Sequence, residues 1–150
     1  MTRADLIHGL LGLTAFIVGI SQPSPPEPGC PDQRACIAMA AYTEAVGEGL
    51  VGMVAVAQVV IERGGEPCDV ITRERQFEAV ENVRRPFEPW KTDPKNWGKA
   101  LLAARIAQEG GRVVCDGADH FYAHDLTTPA WAEQGRPCGV VGGHTFIAME

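Results

Sequence analysis

Nine residues divide this chain in two: Ser21 to Gly29 reads Ser-Gln-Pro-Ser-Pro-Pro-Glu-Pro-Gly. Proline fixes φ and removes the amide donor, so such a stretch neither continues a helix nor pairs in a sheet, and it serves as a stiff spacer. Whatever packs must lie before it or after it. Before it, Leu10 to Ile20 is an apolar run preceded by Arg3, with Asp5 offsetting the charge. The run falls short of the ~20 residues that a comfortable membrane span needs. It suits the apolar region of an export signal with a small-residue exit near Gly19-Ile20-Ser21. A signal-anchor that later leaves the bilayer, or a plain buried helix, are the other readings. The expectation is export to the periplasm or cell wall, with transient membrane contact through this segment. Residues 1–29 then form leader and linker, and residues 30–150 the folded domain.

At 150 residues with 45% hydrophobic content, the chain is of single-domain size and can bury a core without metal. Its net charge of −6 is spread in small alternating groups. Nucleic-acid binding needs clustered Lys and Arg, so that partner class is excluded. A monomer is expected. Five cysteines, at positions 30, 36, 68, 115 and 138, form no CxxC pair. In an exported chain they read as one or two disulfides with a thiol left over, of undetermined connectivity.

Local signals place the elements. Asp32 is positioned to cap a helix reaching about Val46, which Gly47 and Gly49 break. From Leu50 to Arg63, Leu50, Met53, Val54, Ala57 and Ile61 recur at helical spacing, and Gly64-Gly65 ends the run. A short helix is expected over Cys68–Gln76 with Asp69 as its cap, and a loop over Phe77–Thr92. Asp93-Pro94 supplies a cap and a first-turn proline for a helix that ends at Gly110-Gly111. His120-Phe121-Tyr122 and Thr145-Phe146-Ile147 read as short paired strands. The fold class is therefore α+β, mainly helical, with a small irregular sheet at the C-terminal end.

Glu44 sits in an otherwise apolar segment, among Ile37, Met39, Ala40, Ala41, Tyr42, Ala45 and Val46. Desolvation favours a protonated carboxyl, which is what a general acid needs near neutral pH. Glu48, four residues on, shares its face if the helix persists that far. The plain alternative is two solvated carboxylates at a helix end. A second cluster combines His120, Phe121, Tyr122, His124, Trp131, His144 and Phe146. Aromatic plates with mixed donors and acceptors suit sugar rings, which present C–H faces and hydroxyl edges. The histidine spacing matches no zinc signature, so no metal and no cofactor are expected. No G-x-S-x-G elbow, P-loop or GxGxxG is present.

Seven segments in order resemble the SleB-type cell-wall hydrolases, a family that includes spore-cortex-lytic enzymes and several phage endolysins. They are Tyr42-Thr-Glu-Ala-Val-Gly-Glu48, Gly52 to Arg63 (Gly-Met-Val-Ala-Val-Ala-Gln-Val-Val-Ile-Glu-Arg), Cys68, Gln76-Phe77, Gly117-Ala-Asp-His-Phe-Tyr122, Pro129-Ala-Trp-Ala132 and Gly142-Gly-His-Thr-Phe146. Val46, Thr43, Gly49 and Glu62 depart from the family's usual arginine, phenylalanine, proline and asparagine. The resemblance implies a lysozyme- or transglycosylase-like domain that cuts peptidoglycan glycan strands between N-acetylmuramic acid and N-acetylglucosamine. It puts the catalytic acid on Glu44, and substrate-lining or supporting positions on Glu48, Gln76, His120, Tyr122, Trp131 and His144. With one well-argued carboxylate, a lytic transglycosylase forming 1,6-anhydromuramic ends is favoured over a hydrolytic muramidase. A zinc-dependent amidase or peptidase, and a non-catalytic wall-binding module, are the rivals from other classes.

Overall fold

The computed structural model describes residues 32–73 and 76–149; the apolar run, the Pro-rich linker and Cys30 lie outside them. Six helices come first: α1 (Gln33–Ala45), α2 (Gly49–Glu62), α3 (Pro67–Thr72), α4 (Glu78–Glu81), α5 (Pro89–Thr92) and α6 (Pro94–Gln108). Strands β1 (His120–Ala123), β2 (Arg136–Val141) and β3 (His144–Ala148) follow. The α+β class read from the sequence is the class observed.

Helix α1 begins where the Asp32 carboxylate accepts the amides of Arg34 and Ala35. That satisfies two of the donors a helix start leaves orphaned. A 3-10 turn over Val46–Glu48 ends it, and Gly49, at φ 69°, redirects the chain into α2. Gly52 through Val60 of α2 are all buried, so this helix is enclosed on every side and central to the core. Helices α1 and α6 pack against it through small side chains: Ala38, Ala41 and Ala45 from one, Ala100, Ala103 and Ala104 from the other. Truncating a packed side chain such as Met53, which is fully buried, costs about 2–5 kcal/mol in such cores. Gln58 is the buried polar residue among those described. Its Oε1 accepts the amides of Val113 (2.6 Å) and Val114 (3.2 Å), tying the turn after α6 to the central helix.

The sheet order is β1-β3-β2, antiparallel throughout. His120 pairs with Ile147 and Tyr122 with Thr145, the strand pairing expected from the sequence. Strand β2 was not expected. Pro137 and Gly139 read as strand breakers, but β2 is an edge, where a missing amide donor is tolerated, and a bulge lies between those two residues.

Two further expectations are corrected. Helix α3 starts at Pro67 rather than at a cap on Asp69, because proline's φ suits the first helical position; Asp69 lies within the first turn. The segment over Phe77–Thr92 carries two one-turn helices, α4 and α5. Two disulfides cross-link the fold. Cys36–Cys68 joins α1 to α3, and Cys115–Cys138 joins the turn before β1 to β2.

Candidate active site

A cleft of about 580 Å³ opens between the helical layer and the sheet. Its floor and walls include Glu44 from α1, Gln76, Glu78 and Asn82 from the α4 region, Tyr122 from β1, Trp131 and His144. An adjoining cavity of about 390 Å³ is lined by Arg63, Gln76, His120, Phe121, Trp131 and Met149. Gln76, Phe121 and Trp131 border both spaces. Five of the seven residues singled out from the sequence thus meet in one cleft, and His120 stands next door.

Strand alternation explains the arrangement on β1. His120 and Tyr122 both meet the Trp131 ring, at 5.3 and 5.8 Å between centroids. Phe121, on the other face, packs on Phe77, His144 and Phe146. His120 Nδ1 also lies 2.9 Å from Asp119 Oδ1, without meeting hydrogen-bond geometry.

Glu44 is partly buried, and its Oε1 accepts the backbone amide of Ala79 at 3.2 Å. Burial pushes its pKa up from the ordinary glutamate value. The Ala79 amide, His144 and Arg63 oppose that shift, and the neighbouring Glu78 carboxylate adds to it. The balance is upward, so this carboxyl holds a proton to higher pH than a solvated one.

Glu48 does not line the cleft. The 3-10 turn after α1 swings it behind His144, where its Oε1 accepts the Gly143 amide at 2.8 Å and meets His144 Nδ1 at 2.6 Å. Glu48 Oε1 thus accepts from Nδ1–H and fixes the ring of His144, leaving Nε2 outside this contact. The packing leaves room for no other side chain. A Cβ on Gly52 would lie 2.6 Å from Glu48 Oε2, and one on Gly142 would lie 2.6 Å from Glu48 Cδ. Gly142 also turns the β2–β3 hairpin at φ 55°. Glu48 therefore bolts that hairpin to the junction of α1 and α2, and sets the ring of His144.

The Cell Wall Hydrolase family model matches residues 47–147, about two thirds of the chain. The chain belongs to the cell wall hydrolase family. It is accordingly an enzyme that acts on peptidoglycan, the resemblance read from its motifs. A similar solved structure is the catalytic domain of the germination-specific lytic transglycosylase SleB from Bacillus anthracis. It is 24% identical, with 80% of this chain and 98% of that chain covered and a TM-score of 0.48. No curated protein matches the chain.

The family match begins three residues after Glu44, so the case for that residue rests on its geometry. In this cell wall hydrolase the cleft also holds residues that sequence reasoning passed over. Glu78 is the important one: an exposed carboxylate in the first turn of α4, close enough to Glu44 to raise its pKa. It directly follows the Gln76-Phe77 motif, and that adjacency was the available signal. Arg63 donates to Gln76 Oε1 at 2.7 Å and to the Asp119 carbonyl at 2.6 Å, fixing the residues that divide the two spaces. Among the described residues no cluster of three or more His, Cys, Asp or Glu side chains is placed to hold a metal ion. His124 lies apart, against Thr145 Oγ1 at 3.3 Å.

Proposed function

We propose that this cell wall hydrolase cleaves the glycan strand between N-acetylmuramic acid and N-acetylglucosamine as a lytic transglycosylase, with Glu44 as its acid and base. The observation that carries the reading is a partly buried carboxyl with a raised pKa, held by one backbone amide in an aromatic-lined cleft. Protonated Glu44 gives its proton to the glycosidic oxygen as the C1–O bond breaks. As carboxylate it then removes the proton of the muramic C6 hydroxyl, whose oxygen attacks C1 and closes the 1,6-anhydro ring. Water takes no part. Tyr122 and Trp131 offer ring faces to the sugars, while Gln76 and His144 Nε2 offer hydrogen bonds to hydroxyl and N-acetyl groups. Glu48 acts behind them, as the support of His144. Export is part of this reading, because the substrate lies outside the cytoplasm.

The hydrolytic reading has one observation of its own, Glu78. A second carboxylate in the cleft is what a hydrolase needs to direct water at C1. Glu78 is exposed, however, and its carboxylate has no hydrogen-bond partner among the described residues. A catalytic base is normally oriented by such partners. Mass spectrometry of muropeptides released from purified sacculi decides the question. Anhydromuramic ends support the transglycosylase, and reducing ends carrying oxygen from labelled water overturn it.

A further inference from the structure

The segment that walls the cleft continues around α1 into a second surface of different character. Ala79 meets Glu44 on one side of α1, and eight residues later Phe87 packs edge-on against Tyr42, 5.9 Å between centroids. Asn82 lines the cleft, and its neighbour Val83 lines a separate cavity of about 260 Å³ together with Tyr42, Arg84 and Phe87. The two spaces thus share one stretch of chain as their common wall.

This second surface is aromatic and cationic. Tyr42, Phe87 and Trp97 form a mutually edge-on cluster, and Trp90 leans on Trp97 at 6.4 Å while 51% exposed. A tryptophan that open is supported as a platform, and the described residues leave it uncovered. Residues 82–95 carry four cations against two carboxylates in a protein whose net charge is −6. Both carboxylates are engaged: Glu88 pairs with Lys91 at 2.6 Å, and Asp93 accepts from Tyr42 and Asn96. Arg84, Arg85 and Lys95 are exposed and have no carboxylate partner among the described residues.

We infer that the Trp90–Arg84 surface is an accessory contact for the wall polymer away from the cut. There the Trp90 face stacks on a sugar ring, and Arg84 and Arg85 meet the free carboxylates of the peptide stems. Continuity with the cleft and charge complementarity select this occupant. A polymer seated over Glu44 runs past Asn82 toward Trp90, and peptidoglycan carries stem carboxylates that an acidic protein otherwise repels. The inference rests on peptidoglycan being the substrate and is indifferent to which bond is cut.

The test is co-sedimentation of the full chain with purified peptidoglycan sacculi, in a Glu44→Gln background so that the polymer stays intact. Replacing an aromatic anchor together with a charged neighbour (Trp90→Ala with Arg84→Ala) should weaken sacculus binding roughly tenfold. The Arg84→Glu, Arg85→Glu pair, at exposed positions that leave the aromatic cluster intact, should do the same, and added salt should no longer weaken binding. With Glu44 restored, both variants should keep wild-type rates on short soluble glycan fragments while slowing on sacculi. Unchanged sacculus binding by both variants overturns the inference. So does loss, in the variants, of binding to anionic phospholipid vesicles or of self-association, with sacculus binding intact. Those results would assign the surface to a membrane or to a second copy of the chain.

Discussion

The backbone amide of Ala79 donates to Glu44 Oε1 at 3.2 Å, so the carboxyl proposed as the acid is held by a one-turn helix and, among the described residues, by no other side chain. A neutral amide at this position is accepted equally well by a carboxamide oxygen. Glu44→Gln therefore keeps the contact and removes the titration. Burial raises the folded-state pKa of Glu44. A raised carboxyl pKa favours the folded state while the group is protonated, and that advantage is lost as pH rises through the folded value. The variant should match the wild type in stability below the ordinary glutamate range, and equal or exceed it at neutral pH. Chemical denaturation across pH measures this. A variant clearly less stable than wild type at pH 7 would contradict the raised pKa.

Glu78 gives a second handle on the same proton. Its charge helps keep Glu44 protonated, whereas Arg63 and His144 work in the other direction. An acid-dependent rate falls on the alkaline side as its group ionises. Glu78→Gln should therefore move the alkaline limb of the kcat/KM profile to lower pH and leave the maximal rate within about an order of magnitude. If Glu78 instead serves as the base of a hydrolase, the maximal rate itself should drop ~10²-fold or more.

The hairpin bolt predicts a steric outcome. Gly142→Ala puts a Cβ against Glu48 and a side chain at φ 55°, so it should cost about 1–3 kcal/mol and disturb His144. Gly47→Ala is the control, because a Cβ there meets nothing within 4 Å. Equal melting temperatures for the two variants would show that Glu48 is not clamped as described.

Cys36–Cys68 and Cys115–Cys138 use four of the five cysteines. Enzyme matured outside the cytoplasm should show no more than one free thiol under denaturing conditions. Losing a native disulfide typically costs about 2–5 kcal/mol, so reduction should lower its thermal stability. Active exported enzyme with most of its thiols free would count against both cross-links.

What could be read from the sequence tracks how local each signal is. Asp32, Gly49, and Asp93 with Pro94 act within a few residues of themselves, and the helix ends they mark are where the structure has them. The β1–β3 pairing was legible because His120–Tyr122 and Thr145–Ile147 carry aromatic and β-branched residues. Strand β2 was hidden, because Pro137 and Gly139 are acceptable only at an edge, and edge position is a property of the whole sheet. Glu48 was expected on the face of Glu44 by helical spacing. The helix tightens into a 3-10 turn first, and the side chain ends behind the cleft. Glu78 escaped notice because its proximity to Glu44 spans thirty-four positions of sequence and depends on how α4 docks on α1.

Whether Glu44 moves the proton in glycan cleavage is decided by comparing wild type and Glu44→Gln on purified sacculi, with rate and product ends measured together. General acid catalysis is typically worth about 10²–10⁴-fold, so the variant's rate should fall by at least that range while its fold and sacculus binding persist. The wild type should release 1,6-anhydromuramic ends. A Glu44→Gln enzyme that cleaves at the wild-type rate would show that Glu44 is not the acid.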